Sequence, residues 1–379
     1  MGRFGDGIGV GSDLAQAAET AVAAALAPLH GRTPDLAMVF VSGPHAAGAG
    51  ERALALTGAT ATLGCTADGV IGGGLGVEGR SAVSVWVGVL PDARLRTFHL
   101  EVMPTDGGAA VIGLPERAPS GDEAAVLLAD PYSFPVDGFV SRAATALAGL
   151  PFVGGVAHGP AGPGSTRLWV DGRTVDRGAV GVLIEGASVR TVVSQGCRAV
   201  GPAMTVTAAS GNVVQGLAGL PALEKVRQVL ADLVPPDQAL ASSGLHLGIA
   251  ADEYAEEQDY LVRGIVGAEG DGLVVGDLVQ VGQTVRLQVR DADAADHGLR
   301  SALARCPGQP GSGALLFSCN GRGGHLFGPS YGGASHDVEV VRSTLAADAV
   351  AGFFAGGEIG PVAGRTHLHS FTASVLVFP

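Results

Sequence analysis

Gly352-Phe353-Phe354-Ala355-Gly356-Gly357 spells Gly-x-x-Ala-x-Gly, and the same spelling stands at Gly64-Cys65-Thr66-Ala67-Asp68-Gly69 and at Gly154-Gly155-Val156-Ala157-His158-Gly159. The surroundings of the three copies agree in order. Before the first lie a short apolar strand, Leu36 to Val41, and a helix ending near Thr57; a strand from Ala82 to Val87 follows it. Before the second lie Ala125 to Leu128 and a helix from Asp137 to Leu150 with Val140, Ala144 and Leu147 on one face; Ala179 to Ile184 follows. Before the third lie Ala314 to Phe317 and a helix from Asp337 to Val350, and Thr372 to Phe378 closes the chain. A unit of strand, helix, Gly-rich turn and strand therefore repeats. The expected fold class is α/β, layered as α+β, with sheets built from these units and covered by helices. A degenerate fourth copy is expected over Leu245 to Val289, with strands near Leu245–Ala250, Tyr260–Val266 and Thr284–Val289.

Outside the repeats, Asp13 caps a helix through Leu14, Ala18, Val22 and Ala25, closed by Pro28 and Gly31. Residues 1–34 thus read as an N-terminal helical segment. Two strands near Val192–Arg198 and Met204–Thr207 lead to a helix with Pro221 in its first turn and Pro235-Pro236 at its end. The chain divides in this segment, into domains 35–222 and 223–379.

Composition excludes several function classes. Of 379 residues, 47% are hydrophobic and 16% charged, enough apolar material for large cores. The net charge of −13 and a single lysine, Lys225, speak against a phosphate backbone as partner, so no nucleic acid is expected. The Ala-rich stretch from Ala15 to Leu26 holds Gln16 and Glu19 and is too short and polar for a bilayer, and Met1 to Val10 has Gly and Asp where a signal peptide needs a basic start and an apolar core. Cys65, Cys197, Cys306 and Cys319 form no Cys-x-x-Cys pair. A cytoplasmic protein with reduced thiols and no membrane partner is expected.

The motifs carry a family resemblance. Gly64-Cys65-Thr66-Ala67-Asp68-Gly69, Ser194-Gln195-Gly196-Cys197 and Gly219-Leu220-Pro221-Ala222 resemble the N-terminal FIST domain and its junction. Cys319-Asn320-Gly321-Arg322-Gly323, Gly357-Glu358-Ile359-Gly360-Pro361 and His369-Ser370-Phe371-Thr372-Ala373 resemble the C-terminal FIST domain. The resemblance runs from about Leu36 to Phe378, giving two FIST halves. It implies a sensory module of signal transduction that binds small ligands, such as amino acids. Neither an F-box nor a transmitter region is seen, so output is expected through a downstream protein partner or a conformational change. Ala199 stands where the family often has Pro, and Val70 where an acidic residue is common.

Candidate ligand-binding residues are Cys319, Asn320, Arg322, Glu358, His369, Cys65 and Asp68. The Cys319–Gly323 turn follows a buried strand, where sheets open into ligand crevices. Arg322 there could grip a carboxylate bidentately and Glu358 accept an ammonium, with Asn320 and His369 beside them. The same residues also read as a tight turn with an exposed arginine and a carboxylate serving backbone N–H groups. Cys65 aligns with Phe353, which marks a packing site; as a nucleophile it would need a base such as His158, His325 or His369, the alternative of a Cys/His-dependent hydrolase. A protein-interaction scaffold is the third reading. His367 and His369 share a strand face but have no local third ligand, so no metal is expected. Gly72 to Gly76 precedes a strand rather than a helix, which removes the dinucleotide reading. No catalytic residue and no cofactor are assigned.

Overall fold

The computed structural model describes every residue except 1, 107, 117–121, 148, 253–254, 256–258 and 307–311. Ala148, inside the helix read as Asp137 to Leu150, and Met1, in the N-terminal stretch, lie outside the described residues. Two compact units result. The first comprises Met1–Val193, Leu299–Leu368 and Thr372–Pro379, the second Ser194–Gly298 and His369–Phe371. These units cut the chain differently from a division near residue 223.

In the first unit each repeat contributes three adjacent strands to a sheet of its own. Leu36–Ser42 pairs in parallel with Ala61–Ala67 through the helix Ala46–Thr57, and antiparallel with Ala82–Val89. Glu123–Ala129, Val136–Ala146, Phe152–Val156 and Ala179–Glu185 repeat the arrangement. So do Gly313–Cys319, His336–Leu345, Ala349–Ala355 and Thr372–Phe378.

The leading glycine of each motif lies within a strand, opposite a residue of the parallel neighbour: Gly64 with Val39, Gly154 with Leu127, Gly352 with Leu316. A Cβ added there would stand 2.2, 1.9 and 1.7 Å from the carbonyl oxygens of those same partners. Close backbone approach therefore explains the repeated glycine. The remainder of each motif leads into a hairpin that leaves its own repeat. Gly69–Gly72 pairs with Ala349–Ala355 of the third repeat. Glu358–Val362 pairs with Phe152–Val156 of the second. Leu168–Val170 pairs with Ala61–Ala67 of the first. The exchange closes a cycle, first to third, third to second, second to first.

One apolar cluster draws on all three repeats. Its centre is an aromatic trio: Phe40 and Phe353 have ring centroids 5.1 Å apart, and Phe317 packs edge-on to both. Cys65 is fully buried in the same cluster.

The N-terminal segment is not wholly helical. Arg3–Val10 is a strand antiparallel to Ala82–Val89, and the helix Leu14–Leu26 follows, capped by Asp13, whose carboxylate accepts from the N–H groups of Ala15 and Gln16. Gly5, Gly7 and Gly9 face that helix: a Cβ at each would lie about 2 Å from the carbonyls of Ala25, Ala21 and Ala17. Alternating glycines carry no apolar signal, which is why the strand escapes a periodicity reading.

The second unit is a seven-stranded sheet in which every recorded strand pair is antiparallel. Its helices Ala222–Asp232 and Pro235–Ser243 contribute to one core with the strands, and Pro235 opens the second helix rather than merely ending the first. The strands expected of a fourth copy exist, as Leu245–Ala250, Tyr260–Glu269 and Thr284–Arg290. They are not a fourth copy, because Leu245–Ala250 and Tyr260–Glu269 run antiparallel. Residues 251–259 are too short a connection for the helical crossover a parallel pair requires.

Candidate functional site

The turn after the Gly313–Cys319 strand carries Arg322 into the interior, where none of it is exposed. Its Nε and Nη2 each donate to the Asp337 carboxylate at 2.8 Å. Asp337 opens the helix of the third repeat, accepts from Ser318 Oγ at 2.7 Å and faces His336 Nδ1 at 3.0 Å. The guanidinium lies 5.3 Å from the Phe327 ring centroid, and His336 stacks on the same ring. Burial by itself would raise the Asp337 pKa. The Arg322 charge and the bonds from Arg322, His336 and Ser318 outweigh burial and hold the carboxyl well below its ordinary range.

Glu358 begins the exchanged strand Glu358–Val362 and is also fully buried. Its Oε2 accepts from the Thr372 N–H at 3.1 Å and from Thr372 Oγ1 at 2.9 Å. Burial pushes its pKa up to about 8, against the Thr372 bonds, the Cys319 thiol and the Arg322 charge. Near neutral pH this carboxyl is therefore mainly protonated, not the anion an ammonium would seek. Two buried atoms here have no hydrogen-bond partner: Arg322 Nη1 and Glu358 Oε1.

The strand ends thus bring Cys319, Arg322 and Glu358 into one electrostatic cluster. Asn320 adjoins it and is exposed, its Oδ1 3.7 Å from the Cys319 sulfur. His369 is buried and belongs to the second compact unit. Asp337, Ser318 and Thr372 complete the cluster and were not among the candidates. The available signal was Arg322 itself, since a buried guanidinium demands a carboxylate. Spacing alone does not say which.

Cys65 and Asp68 part company. Cys65 lies in the central core, and burial raises its thiol pKa well above the ordinary value. Asp68 lines a cavity of about 550 Å³ at the C-terminal ends of Leu36–Ser42 and Ala61–Ala67. His45, Thr66, Arg80, His158 and Arg167 line it with Asp68. His158 and Arg167 arrive from the second repeat: Thr66 Oγ1 donates to the His158 carbonyl at 2.7 Å and accepts from the Arg167 N–H at 3.0 Å.

The helix Ala46–Thr57 starts in this cavity. His45 precedes it in a left-handed conformation, φ 62°, with no side-chain cap for the first-turn N–H groups, and Ala46 and Ala47 of that turn line the cavity. Arg80 has no carboxylate partner among the described residues. His158 Nε2 stands 3.8 Å from Asp68. Two arginines and two histidines thus face one carboxylate, in a chain whose net charge is −13. Among the described residues no three His, Cys, Asp or Glu side chains are grouped to hold a metal, and no helix is long and apolar enough to cross a membrane.

Comparison with known proteins follows the same lines. The FIST N domain matches residues 35–220 and the FIST C domain residues 222–361. The chain is 40% identical to an uncharacterized protein of Mycobacterium tuberculosis (strain ATCC 25618 / H37Rv), over 99% of both chains. It is 39% identical to an uncharacterized protein of Mycobacterium bovis, over 99% of this chain and 98% of that one.

Proposed function

The chain belongs to the FIST family, whose domains are regarded as sensory modules of signal transduction, and on that premise we propose that it senses a small ligand of the amino-acid class in the cavity beside Asp68. The supporting observation is the charge pattern of that cavity. An uncapped helix start and Arg80 favour a carboxylate, while Asp68 offers the acceptor for an ammonium. The volume of about 550 Å³ lies within the range of small-molecule sites, about 300–1,000 Å³. A partner protein reading the bound state would carry the signal. Among the described residues no disulfide joins any of the four cysteines, in keeping with a cytoplasmic, reducing setting.

The C-terminal cluster enters this proposal in a reduced role. Asp337 occupies the two-pronged face of Arg322, so Nη1, which has no partner, is the nitrogen open to a ligand or a bound water, and Glu358 Oε1 offers the matching contact. A hydrolase built on Cys65 has less support. A thiol with a raised pKa in an apolar core is a poor nucleophile.

A thermal-shift screen against amino acids, followed by calorimetry, tests the reading, because a ligand specific to the folded state raises the melting point by mass action. Asp68→Asn and Arg80→Ala should each weaken the bound amino acid about tenfold, the worth of a charge-assisted hydrogen bond. Binding unchanged in both variants, or no amino acid bound at all, would refute it.

A further inference from the structure

A separate cavity of about 460 Å³ opens at the N-terminal end of Ala61–Ala67, where the helix Ala46–Thr57 finishes. Its lining includes Glu51, Leu54, Thr62, Trp169 and Asp171, and no arginine, lysine or histidine among the described residues. Trp169 is 1% exposed and Thr62 8%, yet Trp169 Nε1 and Thr62 Oγ1 have no hydrogen-bond partner. An indole N–H is only a donor, so it calls for an acceptor oxygen; the threonine hydroxyl can serve the same oxygen. Buried groups of this kind are nearly always paired in native folds.

The two carboxylates are held in place. Asp171 and Gly172 both have positive φ and make the two-residue turn of the exchanged hairpin formed by Leu168–Val170 and Arg173–Val175. Asp171 accepts from the Thr62 N–H at 3.1 Å and from the Thr97 hydroxyl. Glu51 accepts from Thr174 Oγ1 at 2.5 Å. With no cation in the lining, this pair repels anions and attracts a positive group. Leu54 supplies an apolar wall.

We propose that this cavity binds a small amine that also carries a hydroxyl or carbonyl oxygen. Its ammonium sits toward Glu51 and Asp171, and its oxygen accepts from Trp169 Nε1 and Thr62 Oγ1. The site is independent of the cavity beside Asp68, whose lining has the opposite charge balance.

Glucosamine is a suitable probe, with glucose and glucuronate as its neutral and anionic counterparts. Trp86 and Trp169 are the protein's two tryptophans, so Trp86→Phe leaves Trp169 as the sole tryptophan, read selectively by excitation at the red edge where tyrosine does not absorb. Glucosamine should change that emission saturably, glucose should bind more weakly and glucuronate not at all. By calorimetry, Trp169→Phe and Thr62→Val should each weaken glucosamine about three- to tenfold, the worth of one neutral hydrogen bond. Should either core variant fail to fold, Glu51→Gln on the exposed helix face gives the same test through charge. Arg80→Ala should leave glucosamine binding unchanged, which separates this site from the other. Absence of a saturable response overturns the proposal. So does equal affinity for glucose, an unchanged affinity in the cavity variants, or a loss in Arg80→Ala.

Discussion

Replacing Glu358 with Gln exchanges a buried carboxyl for an amide of nearly the same shape, and the amide oxygen can still accept from Thr372. Burial lifts this carboxyl from its ordinary 4.5 to about 8. The folded protein therefore keeps a proton that the unfolded chain releases between these values. The contribution to stability is full below about pH 4.5 and is lost progressively as pH rises toward about 8. At pH 7 the loss is about 3 kcal/mol, taking about 1.4 kcal/mol per pH unit over the interval above 4.5. Glu358→Gln has no proton to release there. Its stability relative to the parent protein should rise across the same window. Urea unfolding at a series of pH values measures this, with Trp86 and Trp169 reporting on the first unit. His246, in the second unit, acts in the opposite sense. Burial and the neighbouring Arg290 lower it from 6.5 to about 4, so its contribution is lost as pH falls from 6.5. His246 is common to parent and variant, so it cancels in their difference. Parallel pH profiles for the two proteins would refute the reasoning.

Asp337→Asn strands the Arg322 cation in the interior and should cost about 3–5 kcal/mol in urea unfolding; a loss under about 1 kcal/mol would contradict the buried pair. Gly352→Ala places a methyl group 1.7 Å from the Leu316 carbonyl oxygen, so the third repeat should lose its parallel pairing and the protein its solubility, whereas unaltered circular dichroism and melting would show the close approach to be unnecessary. Timed alkylation with mass spectrometry should find Cys65 slower than the partly exposed Cys197, and equal rates would remove the packing role of Cys65. A chain ended at residue 222 leaves Phe152–Val156 without Glu358–Val362 and Gly69–Gly72 without Ala349–Ala355. It should fail to give a stable monomer on size exclusion, and a monomeric fragment with cooperative unfolding would contradict the exchange.

Much of the first unit is legible because its signals are local. The Asp13 cap, the apolar strands Leu36–Ser42 and Gly313–Cys319 and the order of elements around each Gly-x-x-Ala-x-Gly follow from propensity and periodicity. The meaning of the motif does not. Glycine weakens a strand by propensity, so Gly64, Gly154 and Gly352 read as turns, while their presence in strands comes from a contact with residues 25 to 36 positions earlier. The hairpin exchange is invisible for the same reason. Nothing in Gly69–Gly72 distinguishes pairing with its own repeat from pairing with the third.

The candidate site divides along this line. Sequence reports the chemistry of Arg322, Glu358 and Asp68, but the state of each depends on what the fold sets beside it. Arg322 reads as a free grip until Asp337, one helix start away, takes two of its donors. Glu358 reads as an anion until burial makes it an acid with a pKa of about 8. Asp68 gains significance because the exchange carries His158 and Arg167 from the second repeat to the strand ends of the first. A repeat that kept its own hairpin would present Asp68 without those two side chains. The charge pattern on which the proposed amino-acid site rests is thus a product of the cyclic exchange, and under that proposal ligand contacts in the cavity would be coupled to strand pairing in another repeat.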